Sequence, residues 1–208
     1  MHDSARPAPA GNPDITGVIL AGGRARRMGG QDKGLVELNG RPMVAYVAEA
    51  LRPQVGALLV NANRNLERYG RLTGCPVIPD ILGDYAGPLA GMASGMDAAR
   101  TLYVLTVPCD SPFVPRDLAS RLLDALVRES GELAVAHDGK RLQPVFALLR
   151  RGLVASALAY LESGERKIDL WYARHRMVPV DLSDKPEAFL NVNTPEDCAA
   201  VNARLRAA

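Results

Sequence analysis

The sequence predicts an α/β layered fold, and three observations carry that prediction. Short apolar, β-branched runs alternate with stretches of helical periodicity along most of the chain. Those runs are apolar at successive positions, as in strands buried on both faces of a mostly parallel sheet. The first four runs lead into Gly22, Asn61, Asp80 and Asp110. Right-handed crossovers put the carboxyl ends of parallel strands along one edge, where open α/β sheets bind ligands. Four elements therefore deliver polar groups to one rim.

Taken in order, residues 1–14 (MHDSARPAPAGNPD) are rich in proline, alanine and glycine and are expected to be a disordered tail outside the fold. Residues 15–21 (ITGVILA) form the first strand, stopped by Gly22 and Gly23. A glycine- and arginine-rich loop runs to Gly34, and residues 42–51 form a helix with Pro42 near its first turn. Residues 57–60 and 75–78 are the second and third strands. A helix entered through Gly87 and Pro88 covers 87–100, and 102–107 (LYVLTV) is the fourth strand. Leu118, Leu122, Ala125 and Leu126 share one helical face, closed by Gly131. Residues 133–136 and 144–149 are strands flanking a turn at 137–140. Helices at 153–161 and 195–206 enclose a last strand at 177–181. No linker divides residues 15–208, so a single domain is expected.

The composition excludes several function classes. Of 208 residues, 48% are apolar and 23% charged, enough for one core and unlike a disordered chain, a fibre or a coiled coil. A net charge of +2 lacks the basic excess of a chain built to grip nucleic acid. No apolar run approaches the roughly 18 residues of a membrane span. Cys75, Cys109 and Cys198 are far apart, form no metal-ligand spacing and follow no secretory signal, so free thiols in a reducing cytoplasm are expected. His2, His137 and His175 form no metal spacing either. His137 is expected in a turn, His175 on the surface, and Trp171 and Tyr172 on a core face.

The chemistry concentrates in the first loop. Between Leu20 and Gly34 lie five glycines and four cations, Arg24, Arg26, Arg27 and Lys33. Glycines let backbone N–H groups approach an anion, arginine offers forked donors and lysine a point charge, so a polyphosphate is the matching ligand. The spacing is neither that of a dinucleotide fingerprint nor that of a Walker A loop. Asp110, just past a buried strand, is placed to hold Mg²⁺ beside substrate phosphates. Asn61 and Asp80 can meet a base or ribose. Thr194 and Pro195 read as a helix cap, which leaves the alternate Asn191 and Asn193 without a structural reason.

The glycine-rich loop after Leu20, with Arg27 and Lys33, resembles the signature loop of nucleotidyltransferases. With it, in order, come Val60-Asn-Ala-Asn63, Gly87-Pro-Leu-Ala-Gly91, Pro108-Cys-Asp110 and Asn191-Val-Asn-Thr-Pro195. Together these resemble the molybdenum cofactor guanylyltransferases over nearly the whole chain. The resemblance implies a three-layer, Rossmann-like nucleotidyltransferase fold with a mostly parallel, mixed central sheet. It implies an Mg²⁺-dependent transfer of GMP from GTP to molybdopterin, releasing pyrophosphate. Leu20, Ala21, Gly22, Gly23, Asn61 and Asp80 would meet the nucleotide. Lys33 and Arg27 would act on its phosphates, and Asp110 would bind nucleotide and metal. Gly87, Gly91, Asn191 and Asn193 would face the pterin. Cofactor-insertion proteins and apo-molybdoenzymes are the implied partners, with no role for nucleic acid or membrane. The alternatives are a CTP-dependent molybdopterin cytidylyltransferase, a sugar-1-phosphate nucleotidyltransferase and a non-catalytic carrier of the pterin. An acceptor phosphate is already ionised at neutral pH, so the absence of a convincing general base fits the transferase chemistry.

Overall fold

The structure, a computed structural model, describes residues 11–23, 32–83 and 87–207. In chain order it runs β1 (Asn12–Leu20), β2 (Glu37–Leu38), β3 (Arg41–Pro42), α1 (Met43–Leu51), β4 (Val55–Asn61) and α2 (Leu66–Thr73). Then follow β5 (Val77–Ile78), α3 (Pro88–Ala98), β6 (Tyr103–Pro108), α4 (Leu118–Arg128), β7 (Leu133–His137) and β8 (Leu142–Arg150). It ends with α5 (Val154–Glu162), α6 (Ile168–Tyr172), β9 (Met177–Asp181) and α7 (Pro195–Ala207). Seven strands make one sheet in the order β5-β4-β1-β6-β8-β7-β9, in which β8 alone runs against the rest.

Alternation along β1 shows how three layers arise. Ile15 and Ile19 face one side, with α1 and α4; Val18 faces the other, with α3, α5 and α6. Both faces are dry, which is why the strands read as continuous apolar runs. The chain steps outward from β1 to β4 and β5, then returns to lay β6 on the opposite side of β1. The switch point of the fold thus lies between the carboxyl ends of β1 and β6. Helix α3 sits close over it because Gly95 faces Val18, where a Cβ would lie 2.8 Å from Cγ2.

Several expectations need correction. β1 begins at Asn12, so the last residues assigned to the tail belong to the sheet. Gly56 makes this possible: a Cβ there would lie 2.7 Å from Pro13 Cα. Residues 1–10 lie outside the described residues. The third strand shortens to Val77–Ile78. Helices α2 and α6 were not foreseen, nor was the β2–β3 hairpin, turned by Asn39 and Gly40 at positive φ. His175 is mostly buried, between Ser156 Oγ at 3.0 Å and the ring of Trp171. Trp171 and Tyr172 are core residues as expected. No helix among the described residues is long and apolar enough to cross a membrane.

Candidate functional site

A cavity of about 500 Å³ opens at the switch point. Its lining includes Leu20, Ala21, Gly22 and Gly23 after β1, Lys33 in the following turn, and Asn61 and Asp80 past β4 and β5. Gly87 and Gly91 approach from α3, Asp110 lies past β6, and Asn191 comes from the segment before α7. Eleven candidates from distant parts of the chain thus share one space. Arg27 lies outside the described residues.

The β1–β4 flank is built around a carboxylate. Asn61 Nδ2 donates to Asp80 Oδ1 at 2.9 Å, and Asn63 Nδ2 donates to Asp80 Oδ2 at 2.7 Å. The Asp80 amide returns a bond to Asn63 Oδ1 at 2.9 Å. Asn61 and Asn63 stand two apart after an extended strand, so both reach the same acceptor. Gly22 lies against this trio: a Cβ there would come within 3.4 Å of both asparagine side chains, at 3.2 and 3.3 Å. Gly91, expected on the pterin side, packs against this same flank, where a Cβ would lie 2.9 Å from Leu20 Cδ2 and 3.1 Å from Asn61 Cγ. Backbone bonds from Ala21 N to Asn61 O and from Cys109 N to Leu20 O lock the three strand ends together.

The β6 end is an ion pair. Lys33 Nζ donates to Asp110 Oδ2 at 2.9 Å, with both side chains mostly buried, and also to Asn193 Oδ1. Lys33 is aimed by Asp32, whose buried carboxylate is held by Arg64 and by Asn65 Nδ2 while its carbonyl opens the turn to Leu35. Asn193, expected at the pterin, thus touches Lys33, expected at the phosphates. Asn191 Oδ1 accepts from Ser111 Oγ at 2.6 Å, and Val192 N donates to Asp110 O, which ties this segment to the end of β6. The cap of α7 is reciprocal: Asp197 accepts from the amides of Asn193 and Thr194, and Thr194 Oγ1 accepts from the amide of Asp197. These bonds hold the Asp197 carboxyl below its ordinary range, the Asn193 amide foremost. Burial, followed by the charge of Asp110, pushes the Cys109 thiol well up, so it stays protonated and is no nucleophile.

Sequence reasoning missed the far wall of the cavity. Gln143, Val145 and Phe146 line it from β8, and Pro88 and Cys109 complete it. The run at 144–149 announced a strand, and nothing in it announced that part of that strand faces a ligand.

Comparison with known proteins identifies the family and the fold. The MobA-like NTP transferase domain family matches residues 17–178. A molybdenum cofactor guanylyltransferase of Shewanella loihica is 54% identical over 185 residues, which cover 89% of this chain and 94% of that protein. That of Shewanella halifaxensis is 55% identical over 182 residues, 88% and 90% of the two chains. Among solved structures, molybdopterin-guanine dinucleotide biosynthesis protein A from Archaeoglobus fulgidus has the same fold, with a TM-score of 0.75 at 19% identity. It covers 93% of this chain and is itself covered completely, at 100%.

Proposed function

The chain belongs to the MobA-like NTP transferase family, and we propose that it transfers GMP from GTP to the terminal phosphate of molybdopterin. One observation carries the assignment of the site: the nucleotide candidates and the Lys33–Asp110 pair line a single cavity at the switch point of the sheet. The chain from Asn12 onward acts as one nucleotidyltransferase domain. In the reaction an oxygen of the molybdopterin phosphate bonds to the α-phosphorus of GTP as the bond from that phosphorus to the β-bridging oxygen breaks. Pyrophosphate leaves with the electron pair, and no proton need be removed from the nucleophile.

The chain's residues divide the work. Backbone groups of Leu20, Ala21, Gly22 and Gly23, with Asn61 and Asp80, hold the nucleoside. Lys33 and Arg27 neutralise phosphate oxygens, which favours the transition state because charge shifts toward the leaving group there. Gly87, Asn191 and the backbone near Asn193 lie toward the acceptor. The donor set also suits Mg²⁺. Among the described residues no three His, Cys, Asp or Glu side chains cluster, and a single carboxylate, Asp110, stands at the phosphate end. Mg²⁺ is commonly held by one or two carboxylates plus substrate phosphates and water. When bound on Asp110 it would screen the two anionic reactants and stabilise the departing pyrophosphate. The three cysteines are unpaired, in keeping with work in a reducing cytoplasm, and the product would pass to cofactor-insertion proteins or apo-molybdoenzymes.

The test is pyrophosphate release by purified protein with molybdopterin and each nucleoside triphosphate in turn. Release with GTP is expected. Release with CTP alone, or with a sugar 1-phosphate in place of molybdopterin, would overturn the assignment.

A further inference from the structure

Resting on that function, we propose that the bulged end of β8 is the wall that receives the pterin, with Gln143 as its hydrogen-bond acceptor and Asp138 as the residue that orients it.

The backbone supplies the first support. Along β7 and β8 the register pairs Val135 with Ala147 but Ala136 with Gln143, so residues 144–146 are extra in β8. Bulges of this kind re-aim side chains and recur beside active sites. This one is pinned at both of its first carbonyls. Tyr172 OH donates to Pro144 O at 2.6 Å, and Thr106 Oγ1 donates to Val145 O at 2.9 Å. Pro144 has no N–H to give a ladder, so the bulge leaves no amide stranded at that position. The outcome is that Gln143, Val145 and Phe146 line the cavity from a strand whose Ala147, Leu148 and Leu149 are buried in the core.

Chemistry supplies the second. Gln143 Nε2 donates to Asp138 Oδ2 at 2.7 Å. Asp138 is itself fixed, its Oδ1 accepting the amides of Lys140 and Arg141. Those amides, Arg141 first, bring its carboxyl down to about 2, so it is an anion at neutral pH and always claims the amide nitrogen. The oxygen of Gln143 is then the end left for a ligand, and a ligand meeting it must present an N–H or O–H donor.

Position decides which ligand. Guanine (2-amino-6-oxo) and pterin (2-amino-4-oxo) present the same edge, a ring N–H and an amino group beside a carbonyl, so the enzyme must place two like edges on two different acceptors. Asp80 lies on the β4 and β5 flank, Lys33 and Asp110 mark the phosphates at β6, and β8 is the next strand beyond β6. A nucleotide stretched from Asp80 to Asp110 leaves β8 facing the acceptor.

The experiment is steady-state kinetics on Gln143→Ala, Gln143→Leu and Asp138→Ala, varying molybdopterin and GTP separately. Both Gln143 variants are expected to raise KM for molybdopterin by about three- to tenfold, the worth of one neutral hydrogen bond, and to leave KM for GTP within about twofold. Asp138→Ala is expected to raise the same KM by less, because the amide is freed to turn but not removed. Should Gln143→Leu fail to fold, equilibrium binding of molybdopterin to Gln143→Ala decides. An unchanged molybdopterin KM in active Gln143 variants, or an equal rise in KM for GTP, overturns this inference alone. A wild-type protein that releases no pyrophosphate from GTP overturns the function it rests on.

Discussion

Gly91→Ala sets two effects against each other in one methyl group. Replacing glycine by alanine inside a helix favours folding by about 1 kcal/mol. At this position the new Cβ would lie 2.9 Å from Leu20 Cδ2 and 3.1 Å from Asn61 Cγ, with Asn61 Oδ1 nearer still. Carbon contacts of that kind normally fall at about 3.5–4.0 Å, so something must move. Asn61 is 2% exposed and its Nδ2 is committed to Asp80 at 2.9 Å and to Ile78 O at 3.4 Å. Displacing it loosens at least the Asp80 bond, at about 1 kcal/mol. The helix gain offsets the bond loss, and overpacking against Leu20 adds about 1–3 kcal/mol, so Tm is expected to fall by about 2–12 °C. GTP binding has no such compensation. It loses the placement of both Asn61 and Asp80, about 1.5–3 kcal/mol, or roughly ten- to a hundredfold in Kd.

Gly95→Ala is the matched control, one turn along the same face. Its Cβ would meet Val18 Cγ2 at 2.8 Å and Cγ1 at 3.1 Å, inside the apolar core. Overpacking there costs about 1–3 kcal/mol of stability, offset in part by the same helix gain, and the three nearest atoms all belong to Val18. Titration calorimetry with GTP and thermal melts on both variants give the comparison. Both variants should lose some Tm, and Gly91→Ala alone should lose GTP affinity. Wild-type GTP affinity in a folded Gly91→Ala protein would refute the role given to Asn61 and its contact with α3.

Asp110→Asn keeps the shape but loses the charge and leaves Lys33 without its counter-charge, so a modest fall in Tm is expected, while single-turnover rates should fall far more than GTP affinity. Asn193→Ala removes an acceptor of Lys33, so KM for GTP should rise along with that for molybdopterin; a change confined to molybdopterin would restore the purely pterin-side role expected from sequence. Asp197→Ala removes the cap of α7 and should lower Tm at pH 7. Because the folded carboxyl titrates below its unfolded value, that deficit is fully present above about pH 4 and should vanish as pH falls through the folded value, as melts across pH 2–7 would show.

The central sheet was legible because its strands are buried on both faces, so β1, β4 and β6 stand out as unbroken apolar runs. The rim was legible because the first four apolar runs lead into Gly22, Asn61, Asp80 and Asp110, at the carboxyl ends where parallel strands bind ligands. Helix α2 was hidden by its own composition: only Tyr69 and Thr73 of its eight residues are buried, and Gly70, a poor helix former, lies within it. Asn39 and Gly40 did carry a hairpin signal, but the strands it joins are two residues each. His175 looked exposed between two arginines, and only the packing of Ser156 and Trp171 from α5 and α6 covers it. The bulge of β8 is tertiary in origin. The hydroxyls that hold it belong to Thr106 and Tyr172, 39 and 28 residues from the carbonyls they bind.

The pairing of Lys33 with Asp110 has a consequence for how nucleotide enters. Each charge is mostly buried and is balanced by the other, so neither stands alone against the low-polarity floor of the cavity. A triphosphate offers Lys33 a stronger anion, yet the same phosphates bring negative charge toward Asp110. Two like charges about 4 Å apart near a protein surface repel by about 4 kcal/mol, enough to cancel what Lys33 gains. In the proposed reaction a divalent cation held by Asp110 would remove that repulsion, so GTP affinity is expected to depend more steeply on Mg²⁺ in the wild type than in Asp110→Asn, as calorimetry across Mg²⁺ concentrations would show; an equal dependence would overturn the coupling.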